Sequence, residues 1–268
     1  ADDRPGPGGR LPGARRRIDG RPAGQWASDT AAALAGTPDV RVLMRTTVTG
    51  HYDHGELIAL ERRPAAGRRG AAAHRLWHIR ARGVIVATGA VERPIAFEGN
   101  DRPGVMSAGA AVRYTWRHGV LPGRRAAVFG CGDEALWSAV DLHDAGVTIA
   151  AAVDARPTAG TAPAAALRER GIDVLCGYGI VRTAAGADGR LSGVAAAPID
   201  KWGRTTGPER VFECDLLAVS GGHDPAMDLA LHAGARQRWS PEHAAFLPAA
   251  LPEGTRRVAA AAGTRDPQ

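Results

Sequence analysis

Two hydrophobic patterns alternate along this chain. Short continuous apolar runs, the pattern of strands buried on both faces, occur at residues 40–44 (VRVLM), 83–88 (GVIVAT), 126–129 (AAVF), 147–153 (VTIAAAV), 172–175 (IDVL) and 215–220 (DLLAVS). Between them, residues 22–36, 105–118, 133–145 and 163–170 space their apolar positions as helices do. A third pattern, strict alternation, marks Thr46–Tyr52, Glu56–Arg62 and residues 75–80. The first two of these are predicted to pair as a hairpin across residues 53–55. Residues 178–213 alternate in short strands, and residues 1–20 and 64–73 are loops rich in Gly, Pro and Arg. Strands that alternate with helices predict an α/β fold built on parallel sheet.

The chain has 268 residues, enough for one large or two modest domains, and 44% of them are hydrophobic, enough for a packed core. No apolar run approaches the roughly 20 residues that span a bilayer, and the polar start, which is not a methionine, carries no secretory signal. The formal charge of +6 raises the question of nucleic acid. Lys201 is the only lysine, however, and the arginines are scattered rather than gathered on one segment, which is the pattern of a solvated surface. Neither nucleic acid nor membrane is expected as a partner. Three cysteines, Cys131, Cys176 and Cys214, form no CxxC and no metal-ligand spacing. They read as reduced thiols of a cytoplasmic protein, without the paired thiols that disulfide exchange requires.

Three stretches carry candidate chemistry. Gly130-Cys131-Gly132-Asp133-Glu134-Ala135 matches G-x-G-x-x-G/A between a predicted strand and a predicted helix. Gly130 would allow the turn, Gly132 would let a pyrophosphate approach the backbone, and Ala135 would let helix and strand pack closely. Asp154 closes the next strand about 20 residues on, where a carboxylate binds a ribose hydroxyl. Asp133 and Glu134 argue the other way: acids at a helix start stabilise its dipole and repel a phosphate. The turn therefore has two readings, a nucleotide site or a turn kept for packing. The second stretch is Ala87-Thr88-Gly89-Ala90 at the end of an apolar strand, echoed by Ser220-Gly221-Gly222. The third is Asp2-Asp3-Arg4-Pro5 followed by Gly8-Gly9, which reads as the strand-terminal acid and loop after the second strand of a first nucleotide unit. The strand, glycine turn and helix that come before such an acid are not in this sequence. Nine histidines include no H-E-x-x-H, and the one H-x-x-x-H, His74 to His78, falls across the alternating stretch read as a strand, where it does not put both rings on one helix face; His51 and His54, flanking a predicted turn, read as solvated or loop-bracing. Ser220 lies outside any G-x-S-x-G elbow. No residue reads as a catalytic acid, base or nucleophile, and no metal site is expected.

The stretches DDRPGPGGRL (2–11), RIDGRPA (17–23), VRVLMRTTVTGHYDH (40–54), VIVATGAVERPIAFEGNDRPGVMSAGA (84–110), RYTWRHGVLPGRRAAVF (113–129) and CDLLAVSGGHDPA (214–226) together resemble the alpha subunit of heterotetrameric sarcosine oxidase. The resemblance implies two Rossmann-like dinucleotide-binding domains, one inserted in the other, with the first incomplete. Residues 1–104 would begin the first domain, 105–215 would form the second, and 216–268 would return to the first. It implies NAD in the first domain, an FMN shared at the boundary with a beta subunit, and FAD in that partner, which oxidises the N-methyl group of sarcosine. It also implies gamma and delta subunits, and a one-carbon unit that passes to tetrahydrofolate. By position, Asp2, Asp3 and Arg4 would meet the adenosine ribose, Arg10 and Val48 would line the same pocket, Thr88 and Gly89 would close it, and Ala261 would face the cofactor from a last turn. Gly130, Gly132, Ala135 and Asp154 form a separate set in the second domain. Alternative readings are the alpha subunit of an opine oxidase, proline dehydrogenase or cyanide-forming amine oxidase, or a truncated scaffold without cofactor.

Overall fold

The computed structural model describes residues 17–63 and 73–262, and the chain divides into two compact units. The first is built from residues up to 91 and from 224 onward; the second is residues 92–223. The second unit thus takes in 92–104 and 216–223 as well as the 105–215 expected of the inserted domain.

The first unit opens with a small hairpin, β1 (Arg17–Ile18) and β2 (Arg21–Pro22). Helix α1 (Ala23–Ala35) starts directly after Pro22, whose fixed φ suits a helix start, and ends at Gly36. An antiparallel sheet follows: β3 (Thr46–Tyr52), β4 (Glu56–Arg62) and β5 (His74–Arg80), in the order β3-β4-β5. The predicted hairpin turn at 53–55 is present. Gly55 has φ +69°, and a Cβ there would lie 2.1 Å from the Ala81 carbonyl oxygen, so glycine is required on both counts. The pairing shifts register between Val48 and Gly50. That shift leaves Val48 opposite Ala59 and His51 opposite Leu57, so Val48 and His51 share one face of the sheet despite an odd spacing.

Residues 40–44 do not form the expected buried strand. Asp39 (φ 62°) and Arg45 (φ 52°) bend the chain at both ends, and Val40 and Val42 are exposed. An apolar run becomes a strand only where a neighbour can accept its hydrogen bonds. The run at 83–88 is also less buried than its pattern predicts. Only β6 (Val84–Val86) is strand, and Ile85 is 68% exposed. β7 (Ala90–Glu92) follows.

The second unit holds a five-stranded parallel sheet. It is made of β8 (Val105–Ser107), β9 (Arg125–Gly130), β10 (Thr148–Asp154), β11 (Val174–Cys176) and, last in sequence, β15 (Leu216–Ser220). The order is β11-β10-β9-β15-β8. The predicted helix at 105–118 begins three residues later than expected, because 105–107 pair with β15. It becomes α2 (Ala108–His118). Helices α3 (Asp133–Asp144) and α4 (Ala162–Glu169) complete the alternation. Before β15 comes an antiparallel sheet of β12 (Tyr178–Ala185), β13 (Leu191–Pro198) and β14 (Arg210–Glu213). The parallel sheet is buried on both faces, which explains its unbroken apolar runs. Ala126 and Val128 pack with Leu136, Leu142 and Leu167 of the helices, while Ala127 and Phe129 pack with Ile180 and Val194 of the antiparallel sheet. Asp215 ties the entrance of β15 to that of β9 by accepting from the backbone N–H groups of Arg124 (3.0 Å) and Arg125 (2.8 Å).

The return leg adds β16 (His223–Pro225), paired with β7, then α5 (Asp228–His232) and the hairpin β17 (Arg236–Ser240) and β18 (Ala245–Ala250). Last comes β19 (Thr255–Arg257), which pairs with β6 in parallel.

The three thiols are all free and differ in exposure: Cys131 is exposed, Cys176 intermediate and Cys214 buried. Burial pushes the Cys214 thiol up to about 11. Since the thiolate is the reactive form, a maleimide reagent at pH 8 should label Cys131 first and leave Cys214 unmodified until the protein unfolds. Mass mapping of labelled peptides with and without denaturant checks this. Rapid native labelling of Cys214 would contradict its burial.

Candidate functional site

In the second unit, sheet register brings three strand ends to one level. Gly130, the last residue of β9, lies opposite Asp154 of β10 on one side and Ser220 of β15 on the other. The chain then turns through Cys131 and Gly132 into α3. The two glycines have different reasons to be there. A Cβ on Gly130 would stand 2.4 Å from the Ala135 Cβ and 2.7 Å from the Ser220 carbonyl oxygen, so strand and helix could not approach as they do. A Cβ on Gly132 would meet nothing within 4 Å, and its backbone is extended (φ −171°, ψ 169°), a conformation open to any residue. Gly130 and Ala135 are therefore packing residues, and Gly132 faces open space at the N-terminus of α3, where glycine offers no side chain to cap the helix.

Asp154 sits as the strand-end acid expected from the spacing, 1% exposed. Its carboxylate is held by Arg156, a residue that the glycine-turn motif does not include. The Arg156 backbone N–H donates to Oδ1 (2.9 Å), Nε to Oδ1 (3.1 Å) and Oδ2 (3.0 Å), and Nη2 to Oδ2 (2.7 Å). The same Nη2 lies 2.7 Å from Oδ1 of Asp133, the first residue of α3. The guanidinium, raised further above its ordinary range by the Asp154 hydrogen bonds and then by Asp133, links β10 to the start of α3. The sequence signal was present in the spacing Asp154-x-Arg156, since a guanidinium two residues after a strand-end carboxylate reaches back to it.

In the first unit, β6 and β19 run in parallel with Val86 opposite Arg257. Thr88 and Gly89 follow β6 by two and three residues, and Ala261 follows β19 by four, so all three lie beyond the same end of this strand pair. Gly89 has φ +77° and nothing within 4 Å of a Cβ position. The Thr88 hydroxyl donates to the Ala226 carbonyl oxygen (2.5 Å) and the Ala226 N–H to the Gly89 carbonyl oxygen (3.0 Å), which anchors this exit to the return leg. Ala261 is 2% exposed. Val48 is half-buried on β3, in another sheet of the unit. His51 is not the solvated or loop-bracing histidine that its sequence position suggested. It is buried on the face of the sheet that Val48 shares, and its Nδ1 has no hydrogen-bond partner among the described residues; the same holds for the buried Nη1 of Arg257. His54 is in the exposed turn. Asp2, Asp3, Arg4 and Arg10 lie outside the described residues.

The division of labour between the two glycines is testable by thermal and urea melts. Gly130→Ser should destabilise by about 1–3 kcal/mol, the range for forcing atoms into a packed site. Gly132→Ser should be neutral or stabilising by about 0.5 kcal/mol, because serine is a preferred N-cap. Equal losses at both positions would contradict this assignment.

Residues 14–240 match the family model described as pyridine nucleotide-disulphide oxidoreductase. The alpha subunit of sarcosine oxidase from Rhizobium meliloti (strain 1021) is 40% identical over 96% of this chain, which spans 25% of that relative's length. An opine oxidase subunit from Rhizobium meliloti is 28% identical over 94% of this chain, which spans 50% of that relative. Thioredoxin reductase from Lactococcus lactis superposes with a TM-score of 0.66 at 18% identity, over 100% of this chain and 83% of that one, a likeness of fold. The parallel sheet with its glycine turn, the paired strand ends of the first unit and the match across most of its length show that this chain belongs to the pyridine nucleotide-disulphide oxidoreductase family.

Proposed function

We propose that this chain is the dinucleotide-binding part of a sarcosine oxidase alpha-type subunit that holds NAD in its first unit. The observation that carries the reading is the 40% identity to such a subunit over nearly the whole chain, against 28% for the opine oxidase relative. Features of the first unit fit a nucleotide. Gly89 leaves open space at a strand end, and His51 and Arg257 each bury a polar nitrogen without a partner among the described residues. A buried unpaired donor or acceptor is unfavourable by about 1–3 kcal/mol unless something satisfies it, and a nucleotide offers such groups.

In this reading Asp2, Asp3 and Arg4 hold the adenosine ribose, Arg10 and Val48 line the pocket, and Thr88, Gly89 and Ala261 close it. The second domain's set Gly130, Gly132, Ala135 and Asp154 is not needed for NAD. An FMN at the boundary with a beta subunit, and FAD in that subunit, would supply the hydride acceptors for oxidation of the secondary amine. This chain's contribution is to bind, orient and exclude water. Beta, gamma and delta subunits are the proposed partners and the cytoplasm the proposed location. Among the described residues no helix is long and apolar enough to cross a membrane.

Two measurements test this. Charge-assisted hydrogen bonds contribute roughly 1.5–3 kcal/mol, so Asp3→Ala in the full protein should weaken NAD binding by about one to two orders of magnitude. NADP should bind worse than NAD, because its 2′-phosphate would face the carboxylates of Asp2 and Asp3. In addition, the complex assembled with its partner subunits should consume oxygen with sarcosine as substrate. Turnover of an opine or proline in place of sarcosine would favour the rival amine oxidases, and undiminished NAD affinity in Asp3→Ala would remove the nucleotide from the first unit.

A further inference from the structure

A dinucleotide laid on the second unit's glycine turn would set its pyrophosphate over Gly132 and its adenosine ribose between the turn and the strand-end acid. Arg156 spans that same stretch. Its Nη2 is 2.7 Å from Asp154 at the end of β10 and 2.7 Å from Asp133, the residue directly after Gly132. We propose that Asp133, Arg156 and Asp154 form a clasp that closes this glycine turn to pyridine dinucleotides, and that Arg156 decides which nucleotide the unit accepts once the clasp is opened.

Three observations carry this. Asp154 has little acceptor capacity free for ribose hydroxyls, because three N–H groups of Arg156, the Nε–H shared between both oxygens, already donate to its carboxylate. The carboxylate is 1% exposed, so a ligand that drew Arg156 away would leave a buried charge unpaired, which is strongly unfavourable. Finally, two carboxylates around one guanidinium leave the cluster net negative, with Glu134 adding a further acid in the first turn of α3. The positive end of the helix is thus already compensated, and a pyrophosphate would arrive against like charge. Packing does not require the open space at Gly132, so what shuts the turn is charge and hydrogen bonding rather than bulk.

Opening the clasp from either side should give opposite nucleotide preferences. Asp133→Ser removes the carboxylate beside the phosphate position and leaves Arg156 on Asp154, with a guanidinium donor turned toward the ligand. This variant should gain binding of NADP, whose 2′-phosphate that donor would meet, at least about tenfold over NAD. Arg156→Ala bares Asp154 as a ribose acceptor and should gain NAD at least about tenfold over NADP, together with a lower melting temperature. The experiment is a calorimetric titration of the parent, both variants and each combined with Gly132→Val, using NAD and NADP. Gains at the second turn should vanish with Gly132→Val, whereas binding in the first unit should not respond to it, so a failed Asp3 prediction leaves this result readable. The parent should show no binding that Gly132→Val removes. Micromolar, Gly132-dependent binding in the parent would overturn the proposal. So would an Asp133→Ser variant that melts like the parent and gains no Gly132-dependent binding; position 133 is partly exposed, so this variant decides the matter even if Arg156→Ala does not fold.

Discussion

The second unit depends on a close approach at Gly130. Two atoms, the Ala135 Cβ and the Ser220 carbonyl oxygen, occupy the space that any side chain at position 130 would need. That contact sets how near α3 lies to the sheet and how β15 sits against β9. With β9 placed, parallel register brings Asp154 and Ser220 level with the turn, and the helix axis is aimed so that Asp133 meets Arg156. The clasp follows from this packing, because the position of α3 fixes where Asp133 begins the helix beside Arg156.

The two units treat their strand ends differently. In the first, Gly89 takes a left-handed conformation, the exit is tied down by backbone and hydroxyl bonds to Ala226, and Arg257, the last residue of β19, buries a nitrogen without a partner among the described residues. In the second, the strand-end acid is held by three N–H groups of Arg156, while the Ser220 hydroxyl at the same level is buried without a partner among the described residues. Both ends therefore keep some unmet hydrogen-bonding capacity, and the second differs in holding its strand-end acid in an ion pair.

The family name carries disulfide chemistry, and the thiols of this chain do not supply it. Cys131, Cys176 and Cys214 are separate in sequence and all free, and burial raises the thiol of Cys214 well above the range in which it would react. What the chain shares with the family is the scaffold, a fold in which the chemistry can belong to a bound cofactor.

Local pattern determined most of the architecture. Continuous apolar runs placed β9, β10, β11 and β15 within a few residues, since a strand buried on both faces must be apolar throughout. Alternation placed β3 and β4, and Asp-His-Gly between them marked the turn that only a glycine at Gly55 permits. Tertiary context decided the exceptions. Residues 40–44 and Ile85 carry strand-like sequence but lack neighbours among the described residues on the sides that would bury them, and no local pattern reports a missing neighbour. At the sites, spacing located Gly130, Gly132 and Asp154 but could not say that one glycine serves packing and the other faces open space, because that depends on Ala135 and Ser220. Nor could it show that His51 turns inward beside Val48, since an unpaired residue in β3 reverses the faces that alternation predicts. Arg156 is the clearest case. Its partner Asp154 is two residues away, yet its second partner, Asp133, lies on another element, and only the folded sheet brings the three charges together.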